Sequence, residues 1–413
     1  MKKASVIALF DTQEHLPEQV VPKELTTEQR KDFNITRKFL ACYVGSQGTF
    51  NSYRREVERL LQWSWVVSGK SLKKLKREDI ENFIRFCQQP PKAWIGLKKS
   101  PRFIEHDDRR IPNPEWRPFV ATVSKAEHRN GLRPNKKDYE ISSGTLKESL
   151  AILSSFFNYL LQEEFVSANP VALIRQKSKF IRKAQTASKI RRLTPTQWES
   201  VIRMAEKMAK QNPTIHERTL FIVTALYAMY LRISELTATA RWTPLMNHFF
   251  RDSGSRWWFT TVGKGNKQRD IAVSDAMLSG LKRWRQYLNL TPLPTPADDS
   301  ALIPKIKGRG PLTNSTYIRE IVQQCFDSAI NDLKQQQLNE EADALLEATV
   351  HWLRHTGISD DVKIRPREHV RDDAGHSSGA ITDQYIDVNL RDRNNTAKKK
   401  KIVPVGFDDA LNE

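Results

Sequence analysis

The sequence predicts a mainly α-helical protein with a small antiparallel β-sheet, divided into a helical N-terminal part and a mixed α/β C-terminal part. Apolar residues recur at helical spacing in several segments, and a helix-capping motif at Thr194 marks the start of a new domain. The β-prone stretch 257–273 has the composition of a hairpin. At 413 residues the chain is long enough for two or three domains with substantial cores.

Three segments of the N-terminal part have the periodicity of amphipathic helices. One begins at Thr49, a second spans Leu72 to Phe86, and the third spans Thr145 to Glu164. The third is the clearest, because apolar residues repeat along one face: Leu146, Leu150, Leu153, Phe157 and Leu160. Asn169-Pro170 ends this unit, since a proline disfavours helix in the residue before it.

A long polar stretch, residues 88–142, separates the second of these helices from the third. Basic residues, prolines and the tryptophans Trp94 and Trp116 punctuate it. Loops of this length are uncommon in compact domains unless they have a function. Two interpretations remain open: an insertion that lies along a DNA backbone, or an insertion that is partly disordered.

A basic segment with little periodicity, residues 175–192, follows the helical part and is typical of a hinge. We expect its cations to bind DNA, in particular Lys177, Lys179, Arg182 and Lys183. The next domain then begins with Thr194 as a helix N-cap, Pro195 at the first helical position and Gln197 completing a capping box.

These features fix the predicted domain boundaries. The C-terminal tail is set apart by the run Lys398-Lys-Lys-Lys401. The predicted parts are a flexible N-terminal arm at 1–25, a helical domain at 26–178 with the insertion at about 88–142, a basic linker at 179–193, a C-terminal domain at 194–395 and a basic tail at 396–413.

The chain is strongly basic. Its 67 lysines and arginines exceed its 48 aspartates and glutamates, which gives a net charge of +19. A surplus this large indicates a polyanionic partner such as nucleic acid. A membrane surface is the rival polyanion, but no apolar run approaches the ~20 residues that a spanning helix needs. The scattered cysteines Cys42, Cys87 and Cys325 are odd in number and typical of a reducing interior, so we expect a cytoplasmic, nucleoid-associated protein.

Two arginines from distant segments are candidates for binding an anion. Arg232 follows an apolar helix and precedes Ile-Ser-Glu235. Arg354 lies three residues after His351 on a predicted helix, so the two side chains project from the same face. Two guanidinium forks neutralise the charge on phosphoryl oxygens without a metal. For Arg232, a salt bridge at a helix end is the ordinary structural alternative.

Tyr385 is the candidate nucleophile. It lies nine residues after His376, which itself follows a glycine. A tyrosine with an unperturbed pKa of ~10 is a poor nucleophile at neutral pH, and a neighbouring base with a cationic pocket is needed to activate it. His351 and the two arginines supply both. An isolated tyrosine is otherwise most often a packing residue.

A predicted hairpin carries three further cations. Lys264 lies between two glycines, after the β-prone stretch 257–262 and before 270–273. A solvated turn lysine is the ordinary alternative for this residue. Lys267 and Arg269 lie on the same hairpin, and we expect them to contact phosphates.

The spacing of His351 and His355, one helical turn apart, also raises the possibility of a zinc site. The metal-binding pattern of two such histidines requires glutamate directly after the first, and Trp352 occupies that place. We therefore predict neither a metal nor another cofactor, and expect His355 to be structural.

The order and wording of these segments resemble the catalytic domain of the tyrosine recombinases, also called the phage integrase family. The resemblance covers roughly residues 194–390, whereas the N-terminal part matches only in its helix pattern and closing Asn-Pro. The matching motifs are Ala225-Leu-Tyr-Ala-Met-Tyr-Leu-Arg232-Ile-Ser-Glu-Leu, Val262-Gly-Lys264-Gly-Asn-Lys-Gln-Arg, His351-x-x-Arg354-His-Thr, and Gly375-His376-Ser-Ser followed by Tyr385.

The resemblance implies a helical core-binding domain and a mixed α/β catalytic domain that form a C-shaped clamp around double-stranded DNA. Arg232 and Arg354 would hold the scissile phosphate, with Glu235 orienting a neighbouring basic group. Lys264 would protonate the departing 5′ oxygen, and Tyr385 would form a 3′-phosphotyrosyl link. The working assembly would be a tetramer on two DNA sites, joined by accessory DNA-bending or directionality proteins.

Two residues depart from the family pattern near the motifs. Tyr230 stands where glycine is common before Leu-Arg, and Trp352 stands where aspartate is common. Neither removes a catalytic group. The predicted function is site-specific DNA recombination that serves integration, excision or resolution. A type IB topoisomerase-like activity and a non-catalytic DNA-binding regulator on the same fold remain as alternatives.

Overall fold

The computed structural model of the chain describes residues 6–177, 191–263, 265–385 and 398. The chain divides into two compact units, Met1–Ala187 and Ser188–Glu413. Both are mainly helical, as the sequence predicted, and each has its own apolar core. Within the described ranges, no helix is both long enough and apolar enough to cross a membrane.

Six helices and two small sheets form the described part of the first unit. Its helices are α1 (Thr27–Ala41), α2 (Gln47–Trp63), α3 (Arg77–Gln88), α4 (Lys125–Arg129), α5 (Ser143–Gln162) and α6 (Ala172–Lys177). A capping box between Thr26 and Gln29 starts α1, and the side chain of Ser142 caps α5. The three predicted helices correspond to α2, α3 and α5, with a short 3₁₀ turn at Leu72–Lys74 before α3.

The long stretch after α3 is folded rather than disordered. Strands β1 (Ile95–Gly96) and β4 (Phe119–Val120) pair in parallel, and β2 (Phe103–His106) pairs with β3 (Arg109–Pro112) in an antiparallel ladder. Trp94 and Trp116 are buried in the core of the unit. Their large apolar area is removed from water, so the tryptophans serve the packing of this stretch.

The expectation of a flexible N-terminal arm is wrong for the part of the arm that the structure describes. Phe10 is fully buried and stacks on Phe33 of α1, with ring centroids 4.7 Å apart. The backbone N–H of Leu9 donates to Glu58 Oε1 at 3.0 Å. Asp11 accepts two hydrogen bonds from Arg110 of β3 at 2.5 and 2.8 Å. Apolar burial and these polar contacts fix the segment to the first unit.

The described part of the second unit has eight helices and one three-stranded sheet. The strands are β5 (Phe249–Arg251), β6 (Trp257–Val262) and β7 (Gln268–Ala272), all antiparallel in the order β5-β6-β7. The helices are α7 (Pro195–Gln211), α8 (Pro213–Ala228), α9 (Asp275–Tyr287), α10 (Ser315–Gln335), α11 (Asn339–Leu345), α12 (Val350–Asp361), α13 (Arg367–Ala374) and α14 (Gly379–Asp383).

Two local predictions for this unit are confirmed. The capping box of Thr194 and Gln197 starts α7, with Pro195 at the first helical position. The predicted hairpin is the pair β6–β7, in which Thr261 faces Arg269 across the ladder. Its tip contains Gly265 and Asn266, both with positive φ, the conformation that a tight turn requires.

A glycine allows α12 to pack closely against α8. A Cβ atom on Gly357 would lie 2.1 Å from the carbonyl oxygen of Tyr227, far inside van der Waals contact. The backbone of α12 therefore rests on the end of α8. This close approach holds α12, and with it Arg354, against the end of α8.

Gly357→Ala is expected to lower the free energy of unfolding by about 1–3 kcal/mol, because the added methyl group must separate two packed helices. The measurement is urea-induced unfolding of the full chain. Gly280→Ala on α9 is the matched control: its Cβ would meet only Thr224 Cγ2 at 3.4 Å, an ordinary contact. That variant should be neutral, or more stable by about 0.5–1 kcal/mol through helix propensity. Equal stabilities for the two variants would contradict the close packing.

Candidate active site

The candidate site lies where four parts of the second unit meet: the segment after α8, the β6–β7 hairpin, α12 and the loop around α14. Arg232 is the N-cap residue of a 3₁₀ turn, Ile233–Glu235. The turn brings the Glu235 carboxylate back onto Arg232, whose backbone N–H donates to Oε2 at 2.8 Å and whose Nη1 donates to Oε1 at 3.0 Å. Glu235 thus fixes the direction of the Arg232 side chain.

Arg269 of β7 binds the same carboxylate. Its Nη1 and Nη2 donate to the two oxygens of Glu235 at 2.9 Å each, and its Nε donates to the backbone carbonyl of Asp373 at 2.8 Å. The Arg269 side chain is only 10% exposed. The Arg269 guanidinium therefore joins the hairpin to the Arg232 turn and the end of α13, and a contact of Arg269 with phosphate stays a prediction.

The ionisation of Glu235 reflects this double pairing. Burial of the carboxyl opposes its charged form, but the hydrogen bonds and positive charges of Arg269 and Arg232 outweigh burial and hold its pKa below the ordinary value. Glu235 is therefore a carboxylate at neutral pH. Its side chain is 1% exposed, so the carboxylate interacts with these two arginines and hardly with water.

Arg354 is positioned by neutral groups. It lies on α12 with 2% exposure, and its terminal nitrogens donate to the backbone carbonyls of Tyr230 and, at 2.6 Å, Ala374. Burial and the nearby positive charge of Arg232 lower the pKa of Arg354 to about 9. In this structure Arg354 keeps an uncompensated positive charge, because no carboxylate is hydrogen-bonded to it among the described residues.

The backbone at Tyr230 has the left-handed conformation that favours glycine. Its φ is +50°, in the left-handed region that side chains rarely adopt. The Tyr230 hydroxyl donates to the carboxylate of Asp361, and Arg365 Nη1 donates to the Tyr230 oxygen at 3.0 Å. The buried side chain is thereby anchored to the end of α12 and to the loop beyond it. These bonds offset the backbone strain and keep the Tyr230 carbonyl directed at Arg354.

Two glycines allow the segments to approach Arg269. A Cβ atom on Gly263, at the end of β6, would lie 2.9 Å from both Arg269 Nη1 and Glu235 Oε1. Gly375 caps α13 in the left-handed conformation, with φ +64°, and its Cβ would lie 2.9 Å from Arg269 Cδ. Any side chain at either position would displace the arginine.

Tyr385 lies buried among histidines. It is 6% exposed, and its hydroxyl oxygen lies 2.5 Å from Nδ1 of His355. The ring of His376 stacks on the Tyr385 ring at 5.6 Å, and Nδ1 of His376 lies 2.9 Å from Thr382 Oγ1. On the other side, the rings of His351 and His355 meet edge to face at 4.2 Å. Sequence reasoning missed the contact of His355, and its place one helical turn after His351 was the available signal.

The electrostatics join these residues into one cluster. Burial raises the pKa of Tyr385 above its ordinary value, although the positive charges of Arg354 and Arg232 act to lower it. Burial and the charges of Arg354, Arg232 and Arg269 lower the pKa of His376 to about 4. Neutral histidines and a neutral phenol therefore face three arginines, of which Arg232 and Arg269 share the carboxylate of Glu235. The cluster keeps an excess of positive charge suited to an anion.

The structure thus brings together Arg232, His351, Arg354, His376 and Tyr385, the catalytic candidates that lie in its described part. Lys267 is exposed on the hairpin. Lys264, Lys179, Arg182 and Lys183 lie outside the described residues, as does the side chain of Lys177. Across the described ranges, no group of three or more His, Cys, Asp or Glu side chains is arranged to hold a metal ion.

Comparison with known proteins defines the class. The model of the phage integrase family matches residues 191–391. The tyrosine recombinase XerC of Xanthomonas axonopodis pv. citri is 31% identical over 203 residues, which cover 47% of this chain and 55% of the relative. XerC of Chlorobaculum parvum is 24% identical over 183 residues, covering 42% and 52%. The chain therefore spans about half the length of these relatives.

Solved structures extend the likeness to the whole fold. A post-cleavage complex of the XerH site-specific recombinase with a palindromic difH substrate has a TM-score of 0.55 at 15% identity, over 94% of this chain and 93% of that one. The Tn1549 transposon integrase in complex with circular intermediate DNA has a TM-score of 0.50 at 17% identity, over 89% and 98%. The fold is that of the site-specific DNA recombinases. Residues 191–391 match the phage integrase family, the tyrosine recombinases, as the motifs in this part of the chain predicted.

Glu235→Gln is expected to lower the free energy of unfolding by about 3–5 kcal/mol at pH 7, because it removes one partner of a buried ion pair. The folded-state pKa of Glu235 lies below its ordinary value of 4.5, so its contribution is complete above that pH and is lost as the pH falls through the folded-state pKa. The difference between wild type and variant should therefore shrink below about pH 4.5. Urea unfolding at pH 7, 5 and 3.5 measures it.

Glu217→Gln is the matched control for this prediction. Glu217 also pairs with an arginine, at 2.7 Å, but Arg283 is 37% exposed. Loss of a partly solvated pair should cost less than about 1 kcal/mol. If both variants lost the same free energy of unfolding, the ion pairs of Glu235 would contribute no more than a partly solvated pair, and Glu235 would not hold the two arginines in place.

Proposed function

We propose that the protein is a site-specific DNA recombinase that cuts and rejoins DNA strands through a phosphotyrosyl intermediate. The observation that carries the proposal is the buried tyrosine hydroxyl beside Arg232 and Arg354, whose positive charges exceed the one carboxylate bonded to the arginine cluster. A phosphodiester supplies the missing negative charge. Preorganised guanidinium donors then stabilise the charge that develops on the phosphoryl oxygens during attack.

In the first step, the Tyr385 oxygen attacks phosphorus and the bond to the 5′ oxygen breaks. The enzyme then holds the 3′ phosphate in a covalent link, and a free 5′ hydroxyl remains. The hydroxyl of a second strand reverses the same step and joins the strands. Because the link conserves the energy of the phosphodiester bond, neither ATP nor another cofactor takes part. Stacking of His376 on the nucleophile supports a role for this residue beside the phosphate.

Lys264 is our candidate for the general acid that protonates the departing 5′ oxygen. It follows Gly263, the residue whose backbone lies against Glu235 and Arg269. The hairpin is therefore tied to the arginine cluster at its base, while Gly265 and Asn266 form the turn at its tip. Lys267, on the same turn, is proposed as a phosphate contact.

The first unit is proposed to act as the core-binding domain. In its stretch after α3 the tryptophans face inward, whereas Lys92, Arg133 and Lys137 are exposed around one groove. Exposed cations of this kind bind phosphates without reading sequence. This arrangement supports the interpretation that the stretch lies along a DNA backbone. The linker cations Lys177, Lys179, Arg182 and Lys183 are proposed to bind the same DNA.

The assembly is proposed by analogy with the family. Four protomers would act on two sites in double-stranded DNA at the nucleoid, with accessory DNA-bending or directionality proteins. The proposal makes DNA the substrate and leaves the biological outcome as integration, excision or resolution. Relaxation of a plasmid without any target site would instead favour a type IB topoisomerase-like activity.

Tyr385→Phe should abolish covalent capture of DNA but leave site binding within about twofold, because only the nucleophilic oxygen is removed. A half-site with a nick beside the cleavage point traps the adduct, which a denaturing gel reveals. Tyr317→Phe, a tyrosine on α10 outside the cluster, is the control and should form adduct at the wild-type rate. An adduct in the Tyr385 variant would mean that another residue is the nucleophile. A wild-type protein that binds DNA and never forms an adduct would favour a non-catalytic regulator.

Lys264→Ala should be rescued by a leaving group that needs no proton. A 5′-bridging phosphorothiolate leaves as a thiolate, so the variant should cleave it near the wild-type rate while cleavage of normal DNA falls by about a hundredfold or more. Lys267→Ala is the control: loss of a phosphate contact should slow both substrates by the same factor. Equal defects in Lys264→Ala on the two substrates would make Lys264 a phosphate contact as well.

A further inference from the structure

The hydroxyl of Tyr385 is held by a histidine that the sequence analysis left as structural. His355 lies on α12, and its Nδ1 is 2.5 Å from the Tyr385 oxygen. Among the described residues, His355 is the one hydrogen-bond partner of the Tyr385 hydroxyl. His351, the other histidine on this face of α12, instead packs its ring against that of His355, at 4.2 Å.

Both partners are neutral at pH 7. Burial, the charge of Arg354 and the repulsion of an imidazolium by His351 and His376 in their protonated forms lower the pKa of His355 to about 3. Burial raises the pKa of Tyr385 above its ordinary value. The phenol therefore keeps its proton, and in the His355 tautomer with its hydrogen on Nε2, Nδ1 accepts the hydrogen bond from the phenol O–H.

An incoming phosphodiester changes this balance. The groups that face His355 are His351 and Arg354 on its own helix, His376 on the loop after α13, and Tyr385 after α14. Arg354 is the permanent cation among them. A phosphate anion bound at Arg354 and Arg232 offsets the positive charge that disfavours an imidazolium, and so raises the proton affinity of His355 at the moment when the tyrosine must lose its proton.

We propose that His355 orients Tyr385 and takes its proton as the tyrosine oxygen attacks the phosphate, an inference that rests on the proposed function. The Tyr385 oxygen forms a bond to phosphorus, its proton passes to Nδ1, and the bond from phosphorus to the 5′ oxygen breaks. The leaving oxygen receives a different proton, from Lys264 in the proposed mechanism. In the rejoining step the imidazolium returns its proton to the tyrosine oxygen, which restores the starting state.

The geometry gives this role to His355 in preference to a purely structural one. A structural histidine commonly bonds to a backbone carbonyl or a fixed polar side chain, whereas the described bond of His355 Nδ1 is to the reacting oxygen itself. The Tyr385 ring also lies between two imidazoles, since His376 stacks on it at 5.6 Å while Nδ1 of His376 is engaged with Thr382. The phenol is thus confined at its ring by one histidine and at its oxygen by the other.

The test separates holding the hydroxyl from taking its proton. In His355→Asn, the amide oxygen takes the place of Nδ1 and accepts the hydrogen bond but no proton. In His355→Ala, both functions are lost and a space remains that free imidazole can enter. His369→Asn, at an exposed histidine of α13, is the matched control. All are assayed as the full chain, by single-turnover formation of the covalent adduct on the nicked half-site between pH 4 and 9, alongside half-site affinity and thermal unfolding.

Wild-type adduct formation should slow as the pH falls, because protonation of His355 in the DNA complex removes the base. His355→Asn should react at least tenfold more slowly at pH 7, since a positioned general base contributes about 10²–10⁴ to a rate. Its rate should lack the wild-type pH step, and its affinity should stay within about twofold. Free imidazole should accelerate His355→Ala and have no effect on the Asn variant. His369→Asn should match wild type throughout.

Each contrary outcome has a distinct meaning. A His355→Asn variant with the wild-type rate would overturn the inference while the proposed function stands. A slower variant that keeps the wild-type pH profile would also overturn it, because His355 would then position the tyrosine without receiving its proton. Absence of any adduct from the wild-type chain would overturn the proposed function, and the inference would fall with it.

Discussion

The buried carboxylate of Glu235 is the interaction on which the rest of the site depends. It binds Arg232 from its own turn and Arg269 from the neighbouring hairpin, and Arg269 in turn holds the carbonyl of Asp373 at the end of α13. One negative charge thereby fixes three separate segments. Since two cations share it, the pairing organises the site without neutralising it. The residual positive charge next to a neutral tyrosine is what makes phosphate chemistry plausible there.

The second arginine obeys a different constraint. Arg354 is almost fully buried, and among the described residues its hydrogen bonds go to two backbone carbonyls, those of Tyr230 and Ala374. A carboxylate partner would have cancelled its charge, whereas a carbonyl directs the guanidinium and leaves the charge intact. The left-handed backbone conformation of Tyr230 directs its carbonyl toward Arg354. A glycine would adopt this conformation without strain, whereas at Tyr230 the hydrogen bonds of the hydroxyl with Asp361 and Arg365 offset the strain.

The sequence predicted elements that depend on local chemistry, such as the Thr194 capping box, the β6–β7 hairpin and the helix that carries His351 and Arg354. It also identified the family through short motifs. It failed where the outcome depends on contacts between distant residues. In sequence Arg269 looks like any hairpin cation, and only the fold shows that it binds Glu235 and the carbonyl of Asp373. His355 was missed for the same reason, since its partner Tyr385 lies thirty positions away in the chain.

The packing of the N-terminal segment matters for any attempt to handle this protein in pieces. Phe10 sits on Phe33, and Asp11 is bonded to a strand that lies far along the chain. A shortened version that started at α1 would uncover an aromatic surface and leave Arg110 without its carboxylate, so it would tend to aggregate during expression. Purification tags belong ahead of this segment, separated by a spacer, because the segment packs into the core of the first unit.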